Sequence, residues 1–451
     1  MDSSRDLELA RAIAQDIARL GGRAYFVGGI VRDGLMGVGC KDVDVEVYGI
    51  SPQALREVLS AHGTVVEKGA SFGVLGLEHT NLDIAMPRRE RRTGERHRDF
   101  DVSVDPALSP REASMRRDFT INAMMRDALT GELIDCWGGR ADLDARIIRR
   151  VSAATFPEDA LRAFRAAQFA ARLEARIEPE TAALCAGIDV FQVSRERVFD
   201  EMCKALLKAS RPSAFFRELS AMNHLREFFP EIEACMGVAQ NPRFHPEGDV
   251  FEHTMLVLDC AAELRARAKE PLFFMISALL HDVGKCVATQ AQPDGRITAY
   301  GHETLGLPMV ERQLRRLTNN ARLIRYVCNQ VELHMRPNML AANQLRKKKT
   351  RAMFDLSVCP EDLILLSRAD ASGKLDAPYD EGYERFLTER LEDYRQVMRR
   401  PMVTGRDLID AGLKPGEVFS ALLARARQLH FAGIGRENAL KQLLAEASHL
   451  K

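Results

Sequence analysis

Two carboxylates two residues apart, Asp42 and Asp44, follow a glycine turn, Gly28-Gly29, in this 451-residue chain. On a strand, side chains two positions apart project from one face, so the pair can hold divalent metal. Mg²⁺ ions held this way activate an attacking hydroxyl and neutralise a departing pyrophosphate. Taken alone, alternating acids would read as the wet edge of a strand. The turn changes that balance. In Gly28-Gly29-Ile30-Val31-Arg32-Asp33 the glycines let backbone N–H groups close on a phosphate, and the helix start adds positive potential. Arg32 then offers a forked donor to a phosphate oxygen. Asp83, further along, is a third candidate carboxylate.

A second constellation lies in the C-terminal half: His253, then His281-Asp282, His302, His334 and Asp370. A single histidine on an apolar helix face is usually a core residue. The order H…HD…H…H…D, each member in a helical context, instead predicts imidazoles and carboxylates converging from separate helices on one or two metal ions. Imidazole nitrogens suit Ni²⁺, Co²⁺ or Mn²⁺, whereas Mg²⁺ prefers an all-oxygen site.

These side chains need elements to position them. Leu7, Ala10, Ile13, Ala14, Ile17 and Leu20 recur at helical spacing until Gly21-Gly22 ends the pattern. Ala24–Val27 reads as a strand leading into the turn. Val43–Tyr48 alternates with period two and places its acids on one face. Leu75–Leu77 and Leu82–Ala85 read as two more strands around His79-Thr80-Asn81. Arginines 88, 89, 91, 92, 96 and 98 open a stretch reaching Arg117 that lacks periodicity and reads as a mobile loop. Beyond Val151 strand signals nearly vanish. The fold class is therefore α+β: a head with a small sheet, followed by a largely all-α remainder. The sections fall at 1–150, 151–240, 241–395 and 396–451, the last marked by Arg399-Arg400-Pro401.

Composition narrows the function classes. A chain 46% hydrophobic and 28% charged is an ordinary folded protein. Only 6% is aromatic, with Trp137 the single tryptophan, which favours helices over a β-sandwich. Lys+Arg and Asp+Glu are equal at 64 each, so any polyanion site must be a local concentration of charge. Arg346-Lys347-Lys348-Lys349-Thr350-Arg351 is the sharpest such run, suited to RNA phosphates or simply to a solvated helix end. No run of about 20 apolar residues suggests a membrane span. The first residues carry no basic-then-apolar signal pattern. Nine cysteines without a C-x-x-C pair fit a reduced, cytoplasmic protein. Nothing in the pattern sets an oligomeric state.

Phe26-Val27-Gly28-Gly29-Ile30-Val31-Arg32-Asp33, followed by Lys41-Asp42-Val43-Asp44, resembles the head signature of class II nucleotidyltransferases in the DNA polymerase β superfamily. That class contains CCA-adding enzymes (tRNA nucleotidyltransferases) and bacterial poly(A) polymerases. Further matches follow in the expected order: Arg116–Ala123, then Ile134–Gly139, then Glu158-Asp159-Ala160-Leu161-Arg162. The resemblance implies a polymerase β-like head, Mg²⁺ at the catalytic Asp42 and Asp44, and ATP, CTP and tRNA as partners. It implies nucleotide contacts at Gly28, Gly29, Arg32 and Arg117. Glu158, Asp159, Arg162 and Arg165 lie at helical spacings, which by itself means a surface pair worth about 0.3–0.5 kcal/mol. The functional alternative is base reading. Cytosine and adenine both present an amine beside a ring-nitrogen acceptor, which a carboxylate and a guanidinium complement. Uracil and guanine present the reverse pattern. One departure stands out: Gln168 occupies a position where the family commonly carries Arg. The arginine-rich loop is not shortened, which by resemblance implies terminal A addition as well as C addition.

The histidine–aspartate set resembles the HD phosphohydrolase superfamily, whose domain is appended to some CCA-adding enzymes. It implies His253, His281, Asp282 and Asp370 as metal ligands and hydrolysis of phosphate monoesters or 2′,3′-cyclic phosphates. Gly405–Leu408 and Gly412–Gly416 resemble a C-terminal element that grips the tRNA elbow. Two kinds of rival remain. One is an enzyme of the same class, either A-adding only or a poly(A) polymerase, though no basic run follows Ser71-Phe72-Gly73-Val74 as poly(A) polymerases tend to have. The other is a non-enzymatic RNA-binding or nucleotide-sensing protein, which would need neither the paired aspartates nor the metal set.

Overall fold

The computed structural model describes residues 3–40, 42–68, 74–92, 100–375 and 379–449; Lys41, Ser71-Phe72-Gly73, Arg96 and Arg98, named above, lie outside them. The chain divides into two compact units, residues to 205 with 214–227, and 206–213 with 228 onward.

The first unit is built on strands β1 (Arg23–Val27), β2 (Val43–Tyr48), β3 (Val65–Glu67), β4 (Leu75–Leu77), β5 (Leu82–Ala85), β6 (Arg88–Arg92), β7 (Phe100–Val104), β8 (Met125–Asp127) and β9 (Leu133–Ile134). Seven of them form one sheet in the order β3-β4-β5-β2-β1-β8-β9. Only β2 and β5 run parallel; the other pairs are antiparallel. The sheet is wider than the sequence pattern announces. Strands β3, β8 and β9 have three, three and two residues, too few to display an alternation.

Period-two burial sorts the central strands. Ala24, Phe26, Val43, Val45 and Val47 join Ala10, Ile13, Ala14 and Ile17 of the helix Ser3–Arg19 in one core. Tyr25, Val27 and Tyr48 face the other way, against Leu108, Ala113 and Met125. That second face of β2 also carries Asp44 and Glu46.

Two expectations need correction. The stretch from Arg88 is not a loop throughout, because β6 and β7 pair antiparallel as a hairpin stem with Arg91 opposite Asp101. Phe100, Val102 and Val104 alternate with Asp101 and Ser103 in β7, but β6 is charged throughout and pairs only with β7, so the run of arginines hid the hairpin. Nor do Glu158, Asp159, Arg162 and Arg165 share one helix. Phe156–Glu158 is a 3₁₀ turn, Asp159 is extended, and the helix begins at Leu161. Pro157 fits the turn's start, and the Asp159 carboxylate, outside the helix, accepts the Leu161 N–H at 3.2 Å across the Ala160 N-cap.

The second unit is helical apart from the short pair Gln290–Ala291 and Ile297–Thr298. Pro271–Ala288 passes for a membrane span by length and composition alone, but 67% of it is buried and it carries His281 and Asp282. It is a core segment of a helical bundle. The basic run at 346–351 is partly structural: Lys347 and Arg351 both pair with Asp393 at 2.7 Å, and Arg351 also donates to the Phe431 carbonyl.

Candidate functional site

Parallel pairing of β2 with β5 sets Asp44 directly opposite Asp83, and Asp42 immediately precedes β2. The consequence is electrostatic crowding. Burial, then the neighbouring Asp83, pushes the Asp44 carboxyl up to about 6; Asp42 adds to the rise, while Arg117 and Lys68 oppose it. Lys68 meets Asp83 at 2.6 Å. Gly28, at φ +72°, forms the near wall: a Cβ there would sit 3.4 Å from Arg117 Nη1 and 3.9 Å from Asp44 Oδ2. The glycine thus keeps open the space between a guanidinium and a carboxylate. Crowded carboxylates of this kind fit a divalent cation, because bound positive charge offsets both the burial and the repulsion that raise the Asp44 pKa.

Arg117 is anchored by Glu46 at 3.6 Å, and Arg116 by the same carboxylate at 3.4 Å. Glu46 is 1% exposed, so the strand that supplies Asp44 also supplies the anchor for both arginines. Arg32 occupies a different position from the one its sequence suggests. It is 3% exposed, its Nε donates to Asp33 at 2.8 Å, and its Nη1 donates to Asn122 Oδ1 at 2.5 Å. Asn122 in turn donates to Asp118, which accepts from Arg165 at 2.8 Å. The Phe169 ring lies beneath both Arg32 and Arg165, 5.0 and 5.2 Å from their guanidinium carbons. Arg32 and Arg165 are therefore ends of one network that fixes the Arg116–Asn122 segment.

In the section 151–240, Asp159 and Arg162 are each held by other groups. Asp159 accepts a two-pronged bond from Arg197, at 3.1 and 2.8 Å. Arg162 donates to the backbone carbonyls of Thr155, at 2.8 Å, and of Arg116. Gln168 is buried, and its Nε2 has no partner.

In the second unit, His253 sits on the helix Val250–Leu264, His281-Asp282 at the end of Pro271–Leu280, and Asp370 on Pro360–Ser372. His302 begins a short helix and His334 caps Ala321–Leu333. They converge as two ligand groups, His253 with His281 and Asp370, and Asp282 with His302 and His334. Asp282 joins them: Oδ1 lies 3.1 Å from His302 Nε2 and 3.6 Å from His334 Nε2, while Oδ2 lies 3.3 Å from His281 Nε2. Each histidine is oriented from behind. Nδ1 of His281, His302 and His334 faces the carbonyl of Ala278, Ala299 and Val331, and Nδ1 of His253 faces Glu247 at 2.8 Å. Those bonds place the proton on Nδ1 and leave the Nε2 lone pairs aimed inward. His281 Nε2 is buried and makes no hydrogen bond, which leaves its lone pair for a metal ion. Burial alone would raise the Asp282 carboxyl, yet Lys285 at 2.6 Å and the surrounding histidines hold it well below the usual carboxylate range.

Sequence reasoning did not find Glu46, Lys68, Arg197 or the His245–Glu247 pair. The last had a local signal, His245-Pro246-Glu247-Gly248-Asp249 just before the His253 helix.

A stability prediction follows from Asp44. Its folded pKa of about 6 exceeds the ordinary 3.8, so metal-free protein at pH 7 keeps a carboxylate ionised at a cost of about 2–3 kcal/mol. That cost falls away as pH drops through about 6 toward 4, so this group makes the metal-free fold more stable on the acid side. Asp44→Asn should raise the thermal midpoint in EDTA at pH 7 by roughly a few degrees and flatten the pH dependence between those limits. A midpoint lowered at pH 7 contradicts the crowding.

Residues 24–149 match the Poly A polymerase head domain, residues 250–372 the HD domain, and residues 176–236 the "Probable RNA and SrmB- binding site of polymerase A". The chain is 35% identical over 429 residues to the multifunctional CCA protein of Alkalilimnicola ehrlichii, covering 92% of this chain and 98% of that one. It is 39% identical over 314 residues to the protein of that name from Ralstonia nicotianae, covering 67% and 70%. Among solved structures, the Thermotoga maritima CCA-adding enzyme complexed with tRNA aligns at TM-score 0.64 and 19% identity, over 98% of this chain and 96% of that one. A CCA-adding enzyme complexed with ATP aligns at TM-score 0.66 and 19% identity, over 99% and 96%. At that identity the likeness establishes the fold.

Proposed function

The chain belongs to the multifunctional CCA protein family, and on that premise we propose that it completes the 3′-CCA end of tRNA without a nucleic-acid template, taking C, C and A from CTP and ATP. The observation that carries this is the pairing of Asp44 with Asp83 beside the open face of Gly28, within reach of Arg117. The head (1–150) performs the transfer, the neck (151–240) reads the base, the HD region (241–395) hydrolyses phosphate esters, and the tail (396–451) holds tRNA.

The tRNA 3′-hydroxyl attacks the α-phosphate of the bound nucleotide, and pyrophosphate leaves. Asp42 and Asp44 would hold Mg²⁺, which would supply charge neutralisation to the transfer. Gly28 and Gly29 admit the triphosphate to the backbone at the helix start. Arg117, held by Glu46, meets sugar and phosphate. Arg32 acts from behind, holding Asn122 in place rather than touching the nucleotide. Asp159 accepts from the amine of C or A and Arg162 donates to the ring nitrogen; Glu158 and Arg165 frame the same pocket. To read a base, Asp159 exchanges the Arg197 fork for the amine, and Arg162 exchanges the Thr155 carbonyl for the ring. Incorporation of CTP and ATP onto tRNA lacking its CCA end, with Mg²⁺ and purified protein, tests the assignment; an inert protein refutes it.

Base selection has its own test. Asp159→Ala removes a charged hydrogen bond worth about 1.5–3 kcal/mol, so preference for CTP and ATP over UTP and GTP should fall by roughly tenfold to a hundredfold. Preference retained in full would assign base reading elsewhere.

In the second unit we assign His253, His281, Asp282 and Asp370, with His302 and His334, to divalent transition-metal ions such as Ni²⁺, Co²⁺ or Mn²⁺. Such ions supply Lewis-acid polarisation of a phosphoryl group. Lys285 fixes the carboxylate that joins the two ligand groups. Arg346, Lys348 and Lys349, exposed at the start of the helix Lys347–Leu356, suit tRNA phosphates. Nine free cysteines fit the reducing cytoplasm.

A further inference from the structure

Of the nine free cysteines, Cys235 and Cys286 are the two whose sulfurs touch among the described residues, with Sγ atoms 3.4 Å apart. They come from segments that frame the HD metal ligands. Cys235 is 1% exposed, and its carbonyl accepts the Phe251 N–H at 3.2 Å, tying it to the first turn of the helix that carries His253. Cys286 is half-buried and follows Lys285 in the helix Lys285–Ala288. Lys285 Nζ lies 2.6 Å from Asp282 Oδ2 and donates to Gln240 at 2.7 Å. Gln240 closes the loop by donating to the Asp249 carbonyl at 3.1 Å, at the cap of the His253 helix. The two thiols and the Lys285–Gln240 bond therefore join the same two segments.

We propose that Cys235 and Cys286 form a reversible disulfide under hydroperoxide, and that this bond turns down the metal site centred on Asp282. The second half rests on the HD assignment above. The half-buried Cys286 is the sulfur an oxidant reaches. Its thiolate attacks the O–O bond of the hydroperoxide: an S–O bond forms, the O–O bond breaks, and the departing oxygen leaves as hydroxide or alkoxide and takes up a proton. Cys235, losing its own proton, then attacks the Cys286 sulfenic acid; the S–S bond forms, the S–O bond breaks, and water leaves. Two thiols are oxidised by two electrons and one hydroperoxide is reduced. A thiol reductant reverses the reaction by exchange. A disulfide spans about 2.05 Å, so closing the gap draws the segments together by roughly an ångström. Lys285 moves with Cys286, and its hold on Asp282 is lost or displaced.

The test uses the full-length, metal-loaded protein treated with hydrogen peroxide. Non-reducing peptide mapping should show the Cys235 and Cys286 peptides linked, with loss of two hydrogens, reversed by dithiothreitol. Hydrolysis of p-nitrophenyl phosphate should fall severalfold and return on reduction, while CTP incorporation holds steady as the internal control. Cys286→Ser should make hydrolysis insensitive to peroxide. Cys235→Ala should leave a trappable sulfenic acid on Cys286. Peroxide that leaves both thiols free, or links either to another cysteine, overturns the proposal. A bridge that forms without changing hydrolysis or metal content overturns the switch. A protein with no hydrolysis at all refutes the HD assignment instead, and the peptide map with metal content still decides the bridge.

Discussion

Asp44→Ala lowers CTP and ATP incorporation by about a thousandfold or more, while hydrolysis at the histidine–aspartate site continues at its ordinary rate. Bound divalent metal contributes several kcal/mol of transition-state charge stabilisation, and about 1.4 kcal/mol is a factor of ten in rate. Asp44 faces Asp83 and the open side of Gly28, so under the proposed assignment its loss removes a central ligand instead of a peripheral charge. The loss should appear in kcat with tRNA affinity little changed, because the exposed cations assigned to tRNA phosphates lie in the other unit. Incorporation within tenfold of the parent would move the catalytic metal away from this strand. Together with Asp44→Asn in EDTA, the expected result is one carboxylate that destabilises the metal-free fold and is required for the proposed reaction, a familiar trade at active sites.

His281→Ala combined with Asp282→Ala abolishes metal-dependent phosphohydrolysis and leaves CCA addition intact. Asp282 belongs to one ligand group and lies 3.3 Å from His281 Nε2 of the other, so together the two substitutions take away the centre of the site. Removing Asp282 also strands Lys285, and breaking a buried pair costs about 3–5 kcal/mol. Retained CTP incorporation and an unchanged circular dichroism spectrum therefore accompany the assay. Metal content by elemental analysis should drop in parallel with hydrolysis. Loss of both activities in folded protein would mean that the sites are not independent.

Local chemistry was legible in the sequence and partnership was not. Period two in Val43–Tyr48 revealed a strand with acids on one face, and the structure has that strand. The sequence could not say that Asp83 faces Asp44, because the register of β2 against β5 is set by long-range pairing. The two aspartates nonetheless share one patch of charge. Arg32 followed the glycine turn as a phosphate donor should, yet its partner Asn122 comes from the distant Arg116–Asn122 segment and turns it inward. The helical spacing of Glu158–Arg165 was a coincidence of counting, interrupted where Asp159 is extended between the 3₁₀ turn and the helix. The histidines gave the opposite outcome. His253, His281, His302 and His334 were each ambiguous on their own helices, and only their order pointed to a shared centre. Glu247, behind His253, escaped notice because an orienting carboxylate has no spacing rule of its own.

The most direct measurement uses three labelled tRNAs, ending in no C, one C and two Cs of the CCA sequence, incubated with purified protein, CTP, ATP and Mg²⁺ and resolved on a sequencing gel. The account predicts that all three converge on one product length, the complete CCA end, with no further growth. Extension of the two-C substrate alone would identify an A-adding enzyme, a ladder of A residues would identify a poly(A) polymerase, and no extension of any substrate would contradict nucleotide addition altogether.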